Sequence, residues 1–375
     1  MKSRTDLFVE EVRENLTSNI LPYWLALKDP RGGFYGEVKA DGTVLYDAPR
    51  GVILNARLIW SFAAAYGALK DDRCLVAVVH ARDWFLDHFC DHKYGGVYWS
   101  VDASGERLET KKQLYAQGFA IYGLSELYRV TKDDEALKNA INLYKVVETH
   151  FADPENGGYI EALSRDFSPL EDMSLSESDI NADKTMNSHL HVLEAYANLY
   201  RVWPDEGLKE AVEKLLELTA TRIMGPDGHL QLYFRKDWTV LPGPVSCGHD
   251  IETSWLALEC AQALRDADVV NRVRPWALRL GQAGSEGLHY DEWWVAAETV
   301  VGNLWLWKYH GDDAAFDRAL SAWDYIKNHL VDNTSGEWWW SVLPDGTPDL
   351  SHPKAGFWKC PYHNTRMCLQ VLSIF

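Results

Sequence analysis

"GGVYWSVDASGE", residues 95–106, sets two glycines ahead of an alternating aromatic run and ends it on a turn-forming Asp-Ala-Ser-Gly. Such a stretch reads as a short strand closed by a tight turn. The same beat returns as "GGFYGEV" from Gly32, "GGYIEAL" from Gly157, "GHLQLYF" from Gly228, "GLHYDEWW" from Gly287 and "GEWWWSV" from Gly336. The spacing is about sixty residues, longer than the common solenoid periods but still the signature of a repeated supersecondary unit. Turns such as "KADGT" (39–43) and "LPDGT" (343–347) follow several beats, so hairpins are expected there.

Between the beats, apolar residues at three and four spacing predict twelve helices, over roughly 5–24, 51–69, 73–90, 113–131, 134–151, 184–203, 206–223, 250–265, 268–283, 293–310, 313–330 and 364–374. Short breaks ("KDD" at 70–72, "TKDD" at 131–134, "WPDE" at 203–206, "GDD" at 311–313) alternate with the longer, beat-bearing connections, which suits antiparallel neighbours. Six helical hairpins, each with an apolar face it cannot bury alone, close into an all-α (α/α)6 barrel with short β-hairpins at one end. An open solenoid is the competing arrangement. No Pro/Ser/Gly-rich linker divides the chain, so residues 1–375 are expected to form one catalytic domain. Helices that follow a beat, such as "GVILNARLIWSFAAAYGAL", are nearly uncharged and belong in the inner ring; "EGLKEAVEKLLEL" and its kind carry the amphipathic pattern of an outer layer.

Composition narrows the function. The net charge of −18, with no Lys/Arg run, excludes a phosphate backbone or an anionic membrane as partner. No apolar run is expected to span a bilayer and no leader is evident, so a cytoplasmic location is expected. Six cysteines spread over the chain read as reduced thiols. Seventeen Trp, eighteen Tyr and twelve Phe supply rings that fill a core or stack on a carbohydrate face. There is no HExxH, P-loop, GxGxxG or GxSxG, which removes the corresponding protease, kinase, dehydrogenase and hydrolase readings.

Polar groups stand in the first turns of the inner helices, amid apolar neighbours: Arg57, Gln117 after Tyr115, Asn187 and His191, His249 and Glu252, Glu298, and His363 with Arg366. If the inner helices run the same way, these converge at one end of the axis, and ionisable groups are seldom buried without a partner or a task. His189 and His191 point about 200° apart on a helix, so only one faces the axis; His191, in register with Asn187, is the choice. His249 and Glu252, three apart in "GHDIETSW", are expected to pair, the carboxylate fixing the ring tautomer. Zinc on Cys247, His249, Cys360 and His363 is the weaker alternative, since the pairs lack the CxxC hallmark. Trp294, Trp358 and Tyr115 beside amide and guanidinium donors suit a sugar. Glycosidases on such toroids use two flanking carboxylates, whereas here histidines outnumber them. Two histidines on opposite faces of a sugar carbon next to a carbonyl suit epimerisation, with Arg57 and the helix N-termini stabilising an enediolate.

"NADKTMNSHLHVLEAY", "GHDIETSWL", "WWVAAETVVG" and "WKCPYHNTRM" closely resemble the N-acylglucosamine 2-epimerase superfamily, above all its cellobiose 2-epimerase branch, and "GVILNARLIW" and the Gly-aromatic beats agree over nearly the whole chain. The resemblance implies an (α/α)6 barrel without metal or cofactor and exchange of glucose and mannose configuration at C2 of a reducing-end sugar. It implies His249 and His363 as the acid/base pair, His191 at the substrate oxygens and Arg57 at the enediolate. Glu252 and Glu298 would orient the histidines. Trp294 and Trp358 would stack on sugar rings, and Tyr115 and Asn187 would hydrogen-bond. The stretch "GSEGLHYDEWW" is shorter than that branch's usual insert, which leaves mono- and disaccharide substrates both open. The alternatives are a mannose/glucose 2-epimerase or a mannose–fructose isomerase, and a non-catalytic sugar-binding protein. Monomer and homodimer are both left open.

Overall fold

The computed structural model describes every residue except Met1, Glu177, Ser178 and His289. Thirteen helices are described: α1 (Arg4–Glu14), α2 (Leu21–Ala26), α3 (Val52–Leu69), α4 (Asp72–His88), α5 (Leu114–Thr131), α6 (Asp134–Val146), α7 (Met186–Tyr200), α8 (Glu206–Leu218), α9 (Cys247–Ala263), α10 (Ala267–Glu286), α11 (Trp293–His310), α12 (Asp313–Tyr325) and α13 (Tyr362–Ile374). A π-helical segment, Asn15–Ile20, joins α1 to α2 into one rod, and similar π turns extend α6, α8 and α12.

The inner ring is read directly from the packing. Helix α3 packs on α5, α5 on α7, α7 on α9, α9 on α11 and α11 on α13, and α13 returns to α3. Each inner helix is backed by an outer one: α4, α6, α8, α10, α12 and, behind α13, α1. The circle therefore closes, and the open solenoid is excluded. Amphipathicity explains the two layers. Helix α8 buries only the stripe Leu208, Ala211, Val212, Leu215 and Leu216, while α3 buries every residue from Val52 to Ala65. Among the described residues α3 alone is long and apolar enough to cross a bilayer, contrary to the sequence expectation. Its apolar surface is consumed by α4, α5 and α13, and it carries Arg57.

Three of the tight breaks share one device. Lys70, Lys132 and Gly311 end their helices in the left-handed conformation, and Asp71, Asp133 and Asp312 cap the next helix through a side-chain oxygen. Each such cap contributes about 1 kcal/mol and fixes the reversal.

The beats form less sheet than expected. Most of their turns close on single bridges, such as Val38 to Val44, Val101 to Arg107 and Val342 to Pro348, and among the described residues only the beat from Gly228 closes on a two-pair hairpin ladder. The two-residue strands pair across neighbouring units instead: β1 (Arg50–Gly51) with β2 (Ser100–Val101), and β3 (Lys112–Gln113) with β4 (Ala162–Leu163). Strand β5 (Lys184–Thr185) pairs with β6 (Tyr233–Phe234), which pairs with β7 (Val240–Leu241). One residue of the "GLHYDEWW" beat, His289, lies outside the described residues.

Candidate active site

A cavity of about 300 Å³ opens where the inner helices begin. Its walls include Arg57 from α3, Tyr115 from α5, Asn187 and His191 from α7, His249 and Glu252 from α9, Trp293 and Trp294 from α11, and His363 from α13. Trp358, just before α13, and Trp340 complete the aromatic part of the rim, and Leu175 and Asp179 come from the connection ahead of α7. The far ends of the same helices, with Tyr122, Asn198, Glu259 and Gln370, line a separate opening at the other end of the axis. The inner helices thus run in one sense, and their positive N-terminal ends face the cavity.

Behind the cavity, four ionisable side chains form one buried network. The Arg366 guanidinium donates to Glu194 Oε1 (2.5 Å), Glu252 Oε1 (2.6 Å) and Glu298 Oε1 (2.7 Å). Glu194 also accepts from Tyr362 (2.6 Å) and from His191 Nδ1 (3.0 Å). Glu298 accepts from His363 Nδ1 (2.7 Å) and from Trp255 Nε1 (2.9 Å). The Arg366 charge and the donors on both oxygens favour the carboxylate form of Glu298, against the burial that raises its pKa. Burial opposes the charge of Glu194 as well, but Arg366 and His191 outweigh it and hold that acid at about 2. Glu252 has a single donor on one oxygen. Burial, with the Glu298 charge beside it, pushes its pKa up to about 8, so it keeps its proton at neutral pH. Arg57 and Arg366 are then balanced by Glu194 and Glu298.

The three cavity histidines are neutral. Burial brings His249 down to about 4, with His191 adding to the effect; it lowers His191 and, together with Arg57 and Arg366, carries His363 well below the ordinary range. Glu298 and Glu194 engage the Nδ1 atoms of His363 and His191, and Ser246 Oγ engages that of His249 (2.6 Å). Their Nε2 atoms bond to no described protein group. His249 and His363 both pack on the Trp294 indole, with ring centroids 4.7 Å and 5.9 Å from it. His189 is a structural group: its ring bonds the Thr185 carbonyl and the Tyr159 amide.

Arg57 is 3% exposed and forms no ion pair among the described residues. It lies over the Phe119 ring at 4.1 Å and donates to the Tyr115 oxygen at 2.7 Å. The Asn187 Oδ1 atom has no partner among the described residues. Trp294 is steadied by Glu292 (2.7 Å), and Trp358 stands 5.9 Å from Tyr115.

Two expectations need correction. His249 and Glu252 do not pair, because Arg366 offers Glu252 a charge-assisted bond and Ser246 takes the His249 nitrogen. The four zinc candidates do not converge either. Cys360 Sγ lies against Arg57 (3.8 Å), while Cys247 groups with His229 and Asp250. Glu252, Glu298 and His363 come close enough for a metal, but the Arg366 guanidinium already sits between the two carboxylates. Glu194 and the hub role of Arg366 were missed. The i, i+3 spacing of His191 and Glu194 was the available signal.

The profile of the N-acylglucosamine 2-epimerase (GlcNAc 2-epimerase) family matches residues 33–366. The chain belongs to this family. It is 44% identical to a cellobiose 2-epimerase of Bacteroides fragilis, over 98% of this chain and 99% of that one. A cellobiose 2-epimerase of Ruminococcus albus is 34% identical over 98% and 99%. The solved cellobiose 2-epimerase of Bacillus thermoamylovorans superposes with a TM-score of 0.94 at 37% identity, covering 98% of this chain and 99% of that one.

Proposed function

We propose that the protein epimerises C2 of a reducing-end aldose, interconverting the glucose and mannose configurations as its cellobiose 2-epimerase relatives are named for. The observation that carries this reading is the set of neutral histidines whose Nε2 atoms have no described partner, two of them against one indole, beside an unpaired buried guanidinium.

Ring opening needs a group to take the O1 proton and another to give one to the ring oxygen. Neutral His249 and protonated Glu252 have those complementary states. His363, with Glu298 fixing its Nδ1–H, takes the proton from C2 through Nε2, and the imidazolium is stabilised by that carboxylate. The two electrons of the C–H bond become the enediolate, whose oxygen charge develops beside Arg57 and Tyr115. The His249 imidazolium then returns a proton to C2 from the opposite face. Closure restores Glu252 with the ring-oxygen proton and discharges His363 to O1, so every group ends as it began. In the reverse direction the two histidines exchange roles.

Trp294, Trp358 and Trp340 form the platform on which sugar rings stack. A time course in D2O with mannose and with cellobiose, read side by side by NMR, tests the reading. Deuterium at C2 together with the 2-epimer is expected. Binding without exchange refutes an enzyme, and ketose as main product assigns proton return to C1 instead.

A further inference from the structure

Four of the turns that lead into the inner helices close on buried ion pairs, and the turn leading to α9 departs from them. Asp29 pairs with Arg50 (2.5 Å), Asp91 with Lys112 (3.0 Å) and Asp153 with Lys184 (2.8 Å), and Asp332 pairs with Lys354. In the turn leading to α9, Gly225 stands where Asp153 stands in its neighbour, as the equivalent bridges Ala152 to Tyr159 and Met224 to Leu230 establish. The buried carboxylate of this turn is Asp250 instead, fully enclosed at 0% exposure. Its Oδ1 accepts from the Leu230 amide (2.9 Å) and its Oδ2 meets His229 Nδ1 (2.7 Å). No Lys or Arg pairs with it among the described residues. The thiol of Cys247, the first residue of α9, completes the group: one ligand atom each from His229, Cys247 and Asp250 lie within 4.8 Å of one another.

We propose that His229, Cys247 and Asp250 form a binding site for a divalent cation of the zinc class, which supplies the positive charge that Lys or Arg supplies in the other turns. Nitrogen, sulfur and oxygen donors together suit a borderline-soft ion, which binds them at about 2.0–2.3 Å with donor atoms roughly 3.3–3.8 Å apart. His229 and Cys247 are half-buried, so the ion enters from solvent and keeps water in its fourth position. On binding, the thiol releases its proton to solvent, and the proton held between His229 Nδ1 and Asp250 moves through solvent to His229 Nε2, which frees both atoms for the metal. Gly287 and Gly284 let the end of α10 approach: a Cβ on either would stand 2.9 Å from Cys247 Sγ or from Asp250 Cβ. None of the three ligands lines the sugar cavity, so the site is structural, tying the turn at 224–230 to the helix that carries His249. It does not depend on the epimerase reading.

The metal-free full-length protein titrated with Co2+ alone tests this. One equivalent is expected to give thiolate charge-transfer absorption and tetrahedral ligand-field bands, which Zn2+ displaces. Cys247→Ser is expected to lose the charge-transfer band while keeping basal activity, and His229→Gln to weaken binding at least tenfold. Zn2+ raises Tm of the wild type by several degrees and not that of Cys247→Ser, since an ion that binds only the folded state stabilises it. Either variant suffices if the other fails to fold. No spectrum at millimolar Co2+, or a spectrum unchanged in both variants, overturns the proposal.

Discussion

Glu298→Gln removes one negative charge and almost nothing of the shape. Three donors converge on the native carboxylate, His363 and Arg366 on Oε1 and Trp255 on Oε2. A glutamine has one acceptor oxygen. Keeping it at the Oε1 position sets the amide NH2 against the indole N–H, and turning it exposes His363 and Arg366 to a donor. The first orientation is the cheaper and leaves one buried donor unsatisfied, a cost of about 1–3 kcal/mol in stability. Catalysis loses more. A unit charge about 4 Å from an imidazolium is worth about 4 kcal/mol at an effective dielectric of about 20. The amide dipole recovers part of this, so kcat/KM should fall about 30- to 1,000-fold, equivalent to about 2–4 kcal/mol of transition-state stabilisation. The sign of the pH effect is separate evidence. An anion favours the protonated form of a nearby histidine, and the Glu298 charge raises His249, whose protonation sets the acid limb, so losing that charge moves the limb of kcat/KM to lower pH even as the plateau drops. The assay is the initial rate of C2 hydrogen exchange in D2O across pH, beside a thermal melt. A variant with wild-type kcat/KM and an unmoved limb refutes the role given to this carboxylate.

Arg57→Ala should slow C2 exchange about 10²- to 10³-fold, the usual loss of one oxyanion donor, with a smaller change in KM. Measuring kcat and KM separately checks this, and a pure KM effect contradicts it. For the wild type, activity should disappear as pH falls through about 4, where His249 gains a proton, and again as pH rises through about 8, where Glu252 loses one. Glu252→Gln mimics the protonated acid. The folded pKa of Glu252 lies above its unfolded value, so its contribution to stability declines as pH rises towards 8. The variant should therefore melt higher than the wild type at alkaline pH while losing ring-opening activity. Asp153→Asn strands Lys184 in the interior and should cost about 3–5 kcal/mol by denaturant titration, with kcat per folded molecule unchanged.

The fold was legible because each element announces itself locally. The apolar stripe of α8 and the unbroken burial of α3 follow from three- and four-residue spacing, and the Asp caps at 71, 133 and 312 mark the reversals. The cavity was legible for a related reason: Arg57, His191, His249 and His363 are polar intrusions in the first turns of otherwise apolar helices. What could not be read was the choice among partners. The rule that joined His249 to Glu252 also joins His191 to Glu194, and only the second pair forms. The difference is Ser246, which takes the His249 Nδ1 atom, whereas His191 Nδ1 is left to Glu194 even with Arg366 on that carboxylate as well. The buried Asp–Lys pairs escaped notice because their partners lie 21 to 31 residues apart, with no periodicity to join them.

The most direct test of the two-faced proton transfer is hydrogen exchange in the single variants His249→Asn and His363→Asn. Each retains one base, so each should exchange the C2 hydrogen of only the epimer that presents it to the surviving histidine, slowly and without forming the other epimer. One variant should label the glucose configuration and the other the mannose configuration. If both variants label the same epimer, or either still epimerises at the wild-type rate, these two imidazoles do not flank C2.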